Sequence, residues 1–396
     1  MDPVGSRGGA ALGVRADVPL SERRLDKVAL LGWGAAVVVF AVLQFTQHGL
    51  QQDDPYHLAL TELLSQGELL SALPWAKHAI LAEHFADLHF GYHAYLVPFV
   101  ALLGGPLGGK LGTTVAVAVL LLVVQWIAGR EHPWRALLPL LVLLTSEVFL
   151  LRVMGMRPIA WAALAVLLVI PLATAERFML LALLGAVFAL CYAAFPLLLV
   201  PLAAHATARF VTAREFSWKP TASVLLGVIA GLLLHPNFLV HLDVLAVQLF
   251  DVSVDRSGLN LEYSSPGVVQ LVREGWLVFA VLAVGVHHAW QAWRESPEAR
   301  DELLAWGLLA GLTLLIYVRN ARGVDYFVPA AITFAAVALR QRSAAPAMSS
   351  AALSASTLKT VFPDTGLGRQ LRMVAQLIAA RGRLGLQRQC FFASLG

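Results

Sequence analysis

Residues 51 to 57 read Gln-Gln-Asp-Asp-Pro-Tyr-His and follow an apolar run, 28–46, of membrane-spanning length. Ionisable side chains are expensive at a bilayer boundary, and where they occur they usually serve a substrate or an ion. Carboxylates placed there can take the proton of an acceptor hydroxyl or orient it through a divalent cation, so Asp53 and Asp54 point to chemistry on a membrane-borne substrate. The plainer reading is a helix start, with Asp at the cap and Pro in the first turn. Capping needs one Asp, and leaves the second and His57 unexplained.

Other polar residues fall at the ends of apolar runs. Asp87 and His89 are two apart, a spacing that in extended chain turns both side chains the same way, as a metal or acid–base pair requires. Arg152 and Arg157 flank Val-Met-Gly-Met, and guanidinium forks suit a phosphate or diphosphate, although snorkelling cations are the ordinary alternative. His235-Pro-Asn237 closes a Leu-rich run, and Arg319, Arg322, Asp325 and Tyr326 cluster near the end of another; both sets read as span-end punctuation or as substrate contacts. Glu147 lies near the end of a span, with Arg152 as its expected partner.

The elements that must position these residues are membrane helices. Hydrophobic residues make up 58% of the 396, charged ones 14%, and the mean hydropathy is +0.71. No water-soluble domain carries that composition on its surface. The expected fold is all-α and polytopic, with about ten spans of roughly 20 apolar residues each: 28–46, 111–128, 136–151, 158–174, 178–191, 194–209, 221–240, 275–292, 303–318 and 326–341.

Arg23, Arg24 and Lys27 precede the first run, which has no cleavage site behind it and reads as a signal anchor. The positive-inside rule then places the N-terminus in the cytoplasm and the 47–110 loop outside. That long first outer loop holds two expected amphipathic helices, one over 56–66 and one within 75–90, an interfacial stretch at 92–104, and a Gly-rich hinge at 104–109. Under this topology Asp53, Asp54, His57, Asp87, His89, His93, Arg152, Arg157, His235, Asn237, Arg319, Arg322, Asp325 and Tyr326 all face outward and can surround one cavity. The chain divides into a cytoplasmic segment, 1–27, a transmembrane domain, 28–341, and a low-complexity linker with a basic cytoplasmic tail, 342–396. Cys191 and Cys390 form no disulfide or zinc pattern.

A first span with its N-terminus inside, a long outer loop opening on Asp54-Pro55-Tyr56-His57, a further acid before the second span, and outer-side Arg residues resemble the GT-C class of membrane glycosyltransferases. That class contains the oligosaccharyltransferase catalytic subunit, the protein O-mannosyltransferases and many bacterial relatives. The resemblance covers residues 24 to 341. It implies a sugar transferred from a polyprenyl-phosphate donor to an acceptor at the outer face of a cell membrane, with no nucleic-acid partner. It implies catalysis by Asp54, with Asp53 second, and a divalent cation, Mg²⁺ or Mn²⁺, on Asp54 and Asp87. Donor contacts would come from His57, His89, Arg152, Arg157, His235, Asn237, Arg319, Arg322 and Tyr326. This chain has one aromatic in the Asp-Pro motif where two are common, and no large C-terminal soluble domain. The rival readings are a transporter, flippase or lipid-modifying protein, and a non-catalytic scaffold.

The topology is open to direct measurement. Single cysteines at Gln51 and Ser349 should be labelled from the outside and the inside of the membrane respectively. Labelling of both from one side would invert the placement of half the polar set.

Overall fold

A computed structural model describes residues 27–353 apart from 48, 52, 74–81, 83, 130–133 and 248–264. The N-terminal segment and the tail beyond 353 lie outside the described residues. Every regular element among those described is helical, in accord with the expected all-α fold: α1 Lys27–Thr46, α2 Asp54–Ser65, α3 Phe90–Leu103, α4 Gly105–Ala128, α5 Leu138–Leu144, α6 Glu147–Met154 and α7 Ile159–Thr174. There follow α8 Phe178–Cys191, α9 Leu199–Ala213, α10 Lys219–Leu233, α11 Phe238–Ala246, α12 Val268–Glu295, α13 Arg300–Arg319 and α14 Val324–Leu353.

Among the described residues, fewer segments than the ten expected have the length and apolarity of a span. Six helical segments are long and apolar enough to cross a bilayer, and two bent pairs raise the total to eight. The run 136–151 breaks at Thr145-Ser146, where the Ser146 hydroxyl caps α6 by accepting from the Phe149 N–H at 3.3 Å. A sharp turn through Gly155 to Pro158 then bends α6 against α7 by 114°. The run 221–240 breaks at His235-Pro236, where α10 and α11 meet at 116°. Proline supplies no N–H and disfavours helix in the residue before it, which accounts for both breaks. At 1.5 Å per residue α8 extends only about 21 Å, short of the roughly 30 Å hydrocarbon core.

The first loop also differs in detail. The amphipathic helix over 56–66 is α2, which stops at Gly67 in a left-handed conformation, φ +80°. The second amphipathic helix falls largely on residues outside those described, and Phe85 to Asp87 carry no regular structure. The stretch at 92–104 is α3, whose buried Tyr92, His93, Leu96 and Val100 pack it on α4. Of the Gly-rich hinge only Gly104, φ +81°, is a break. Gly108 and Gly109 belong to α4, where side chains would strike the Phe99 carbonyl and the Met156 sulfur. Likewise α14 runs through the Ala- and Ser-rich residues read as a linker, because alanine favours helix most strongly.

Helices α7 and α14 form the centre: Phe327, Val328, Ala331 and Ile332 are all fully buried, as are Ala163, Leu167 and Val169. Helices α1 and α12 lie at the periphery, with Leu31, Val38, Val42, Val268 and Val269 exposed on faces suited to lipid. Helices α8 and α10 approach through small residues, the usual means of close contact between membrane helices. A Cβ on Gly227 would lie 1.9 Å from the Ala182 carbonyl oxygen, and one on Gly231 2.3 Å from that of Ala186.

That contact yields a stability prediction. Gly227→Val should force α8 and α10 apart and lower the thermal midpoint of the detergent-solubilised protein, at a cost on the order of 1–3 kcal/mol. Gly311→Ala, with nothing within 4 Å of the new methyl, should leave the midpoint unchanged or slightly raised.

Candidate functional site

The polar residues expected at one face converge. The start of α2, the segment before α3, the α6–α7 turn, the end of α8 and the turn between α13 and α14 meet around a cavity of about 80 Å³. On the described residues its wall includes Asp53, His57, His89, Arg152, Arg157 and Arg322, with Tyr192 closing one side. These come from segments spread over most of the helical domain.

The cationic side of the wall is fixed by ion pairs. Arg152, in the last turn of α6, donates from Nε and Nη2 to the two carboxylate oxygens of Asp325 at 2.7 and 2.9 Å. Asp325 opens α14 and is fully buried, so this fork joins α6 to the central helix. The expected Glu147–Arg152 pair does not form, because Glu147 is exposed in the first turn of α6. Arg157 meets Asp53 at 2.9 Å. Arg322 enters from the 3-10 turn Ala321–Gly323, whose backbone is held by the Asn320 side chain accepting from the Arg322 N–H at 2.9 Å. Tyr326 stands behind the wall and donates its hydroxyl to that of Tyr192 at 3.1 Å, which leaves the Tyr192 proton available to the cavity.

Asp54 is placed elsewhere than expected. Its carboxylate is buried behind the wall, accepting from the Gln51 N–H at 2.8 Å and from the Met156 N–H at 2.7 Å. Burial raises its pKa from the usual carboxylate range, while those two N–H groups and the Arg157 charge pull against the rise. The Met156 N–H is one that the α6–α7 break has left without a helical partner. Asp54 therefore satisfies backbone freed by the bend.

The imidazoles form a chain. Asp87 Oδ2 and His93 Nδ1 are 2.5 Å apart, His93 Nε2 and His57 Nδ1 2.8 Å, and both rings are buried. The other Asp87 oxygen accepts from the His89 N–H at 2.9 Å. Burial alone would raise the Asp87 carboxyl, but the His93 imidazole and that N–H outweigh it and hold it below the usual range. Burial lowers His57 well below the ordinary histidine value, helped by His93, His89 and Arg157. His89 stacks on Tyr192 and donates from Nδ1 to the Cys191 carbonyl at 3.1 Å; burial brings it down to about 4.

Asp54 and Asp87 do not offer themselves as a metal pair, since the oxygens of each take hydrogen bonds from N–H groups of different partners. Among the described residues no group of three or more His, Cys, Asp and Glu side chains has a geometry that could hold a metal ion.

The remaining expected residues sit apart from the cavity. His235 donates from Nε2 to the Asp87 carbonyl at 3.0 Å, Asn237 reaches the Leu70 carbonyl, and both line a separate, mostly apolar depression. Arg319 is exposed, and its carbonyl accepts from the Ser265 hydroxyl. Sequence reasoning placed His93 and Asp325 at this face without a role and overlooked Tyr192. The four-residue spacing of His89 and His93 is the signal that two imidazoles share one helical face.

No protein-family model matches the chain, and no curated protein matches it by sequence. Among solved structures it is similar to the archaeal oligosaccharyltransferase AglB from Archaeoglobus fulgidus, determined in complex with an inhibitory peptide and a dolichol-phosphate, with a TM-score of 0.52 and 11% identity. The match covers 91% of this chain and 56% of that one, so the chain spans a little over half of that protein's length. What the two share is the fold of a polytopic membrane protein.

The two neighbouring acids should behave oppositely. Asp54→Asn sets an NH₂ group against one of two backbone donors and should cost about 1–3 kcal/mol of stability. Asp53→Asn removes a pair whose carboxylate is 42% exposed and should shift the midpoint little. Comparable midpoints for the two variants would contradict the clamping role of Asp54.

Proposed function

We propose that this protein is a membrane glycosyltransferase of the GT-C type, which moves a sugar from a polyprenyl-phosphate donor to an acceptor at the extracytoplasmic face. The observation that carries the reading is the cavity itself. Arginines from two separate turns, a tyrosine hydroxyl and imidazoles surround a space of about 80 Å³ at the ends of apolar helices, in a chain with the fold of an oligosaccharyltransferase. A space of that size, at roughly 30 Å³ per water, suits a phosphate head group whose hydrocarbon tail leaves sideways into lipid and whose sugar lies toward the mouth.

The chemistry follows from the charges. When the acceptor oxygen attacks the anomeric carbon, the bond to the phosphate oxygen breaks and negative charge grows on the departing lipid phosphate. Guanidinium groups fixed beforehand stabilise that charge without reorganising. Arg322 is placed for this task, whereas Arg157 meets Asp53 and both arms of Arg152 that face Asp325 are engaged in holding α14. No group of side chains among the described residues fits a metal centre, so no step is assigned to a divalent cation. The acceptor in this reading is a hydroxyl, whose proton must leave as the new bond forms.

One observation favours a flippase instead: broken helices with polar residues at the break are common at transporter sites. Both breaks, however, lie at the polar ends of the bundle rather than amid the apolar mid-spans. Reconstituted protein that moves a polyprenyl phosphate across vesicles without transferring sugar would establish that alternative.

Donor binding is the direct test. With the purified protein in nanodiscs and a short-chain polyprenyl phosphate as probe, Arg322→Gln should weaken binding about 10- to 100-fold, corresponding to loss of one charged hydrogen bond of about 1.5–3 kcal/mol. Arg319→Gln should leave it within about twofold, being the exposed arginine. Equal loss from both would show that the phosphate does not enter the cavity.

A further inference from the structure

The buried chain Asp87–His93–His57 ends on the cavity wall, and nothing in the donor-binding role requires it. We propose that His57 is the general base of the reaction, taking the acceptor proton on Nε2, and that His93 and Asp87 are positioning residues that set its tautomer. This deepens the glycosyltransferase reading and rests on it.

The argument is one of donors and acceptors. An ionised carboxylate only accepts, so Asp87 Oδ2 requires a proton on His93 Nδ1. In the proposed state that is the only proton on the His93 ring, so its Nε2 accepts across the 2.8 Å contact from His57 Nδ1. His57 Nε2 is left with its lone pair, on a ring that lines the cavity. Each ring is held in orientation by its neighbours: His57 packs edge to face on Tyr92 at 5.6 Å and on Tyr56 at 5.2 Å. The α2 turn beneath is braced by the Thr61 hydroxyl donating to the His57 carbonyl at 2.7 Å.

Two other groups at the site are weaker candidates. Asp54 has both oxygens on backbone N–H groups and lies behind the wall. His89 also turns a ring to the cavity, but its Nδ1 donates to a neutral carbonyl, and the Asp87 carboxylate nearby bonds its backbone N–H rather than its ring, so nothing anionic fixes its tautomer. His57 has Asp87 for that, one ring removed. The balance of the step is complete. The acceptor oxygen bonds to the anomeric carbon, the carbon–phosphate oxygen bond breaks with its electron pair leaving on the lipid phosphate, and the acceptor proton passes to His57 Nε2. The low proton affinity that burial gives His57 keeps the ring neutral until the acceptor proton is released.

The experiment uses the full-length protein with ¹⁵N-labelled histidine in nanodiscs, His57 and His93 being assigned by their Gln variants. Both rings should show the neutral, Nδ1-protonated tautomer, and Asp87→Asn should abolish that preference at His93. A proton on His57 Nε2 in the wild type would overturn the proposal, whatever the variants do. In parallel, sugar transfer from a polyprenyl-phosphate sugar should fall about 10²- to 10⁴-fold in His57→Gln, with affinity for a short-chain polyprenyl phosphate within about twofold of wild type as the test of folding and donor site. His93→Gln, which cannot impose the same tautomer, should lower the transfer rate without changing that affinity. Transfer by His57→Gln at near the wild-type rate would remove the base and leave the enzyme reading intact. Wild-type protein with the stated tautomers and no transfer from any polyprenyl-phosphate sugar would instead sink the enzyme reading.

Discussion

A helix broken at a membrane boundary frees backbone groups that neither lipid nor helix can satisfy, and the bend between α6 and α7 is where this protein meets that constraint. Three side chains from the end of α1 to the start of α2 meet it, and a fourth pairs with a side chain of the same turn. Gln44 donates to the Met154 carbonyl and Gln51 to that of Leu151, each at 2.8 Å. Asp54 accepts from Met156 N–H, and Asp53 pairs with Arg157. The first loop is thereby clasped to residues 151–157, and the same turn is tied to the central helix by the fork between Arg152 and Asp325. The cavity exists because these joints hold its walls at the ends of helices that are otherwise apolar.

The second break repeats the device with different chemistry. Pro236 ends α10, and the imidazole before it turns to the loop that precedes α3, donating to the Asp87 carbonyl. The residue that holds His93 by its side chain is thus itself held by its backbone. A disturbance at the α10–α11 bend reaches the cavity through Asp87, although His235 does not touch it. Polar residues at both bends, which look in sequence like a single ring around a substrate, divide into a wall and the struts behind it.

Composition and run length made the helical, membrane-spanning character legible, since nothing else accounts for such apolar length. The convergence of part of the polar set, His57, His89, Arg152, Arg157 and Arg322, was legible too, because charge accumulates where helices end. Span number was not. The proline and serine that break 136–151 and 221–240 sit inside runs whose hydropathy stays high, and hydropathy does not register direction. The motif Asp53-Asp54-Pro55 did not reveal that one carboxylate is buried and the other on the wall, since a buried carboxylate and a substrate-facing one have the same sequence signature. Which it is depends on Met156, about a hundred positions away. The histidine chain was half visible: His89 and His93 have helical spacing, but their connection to His57 crosses between α2 and α3 and needs the fold.

The physical interest of the arrangement lies in where negative charge is kept. On the proposed function a polyprenyl-phosphate sugar would bring an anionic group into a small space, and a bare carboxylate beside it would repel both the donor and the charge that grows as the phosphate departs. Asp53 is on the wall but offset by Arg157, and Asp54 is withdrawn among backbone donors. Asp87 is withdrawn further, behind the rings of His93 and His57. A neutral imidazole can stand next to the phosphate without opposing it, and it becomes positive only as the proton arrives, at the moment when the phosphate becomes more negative. Setting the carboxylate two rings back then separates the two demands on it: it orients the base throughout, and its charge counts most when the base is protonated.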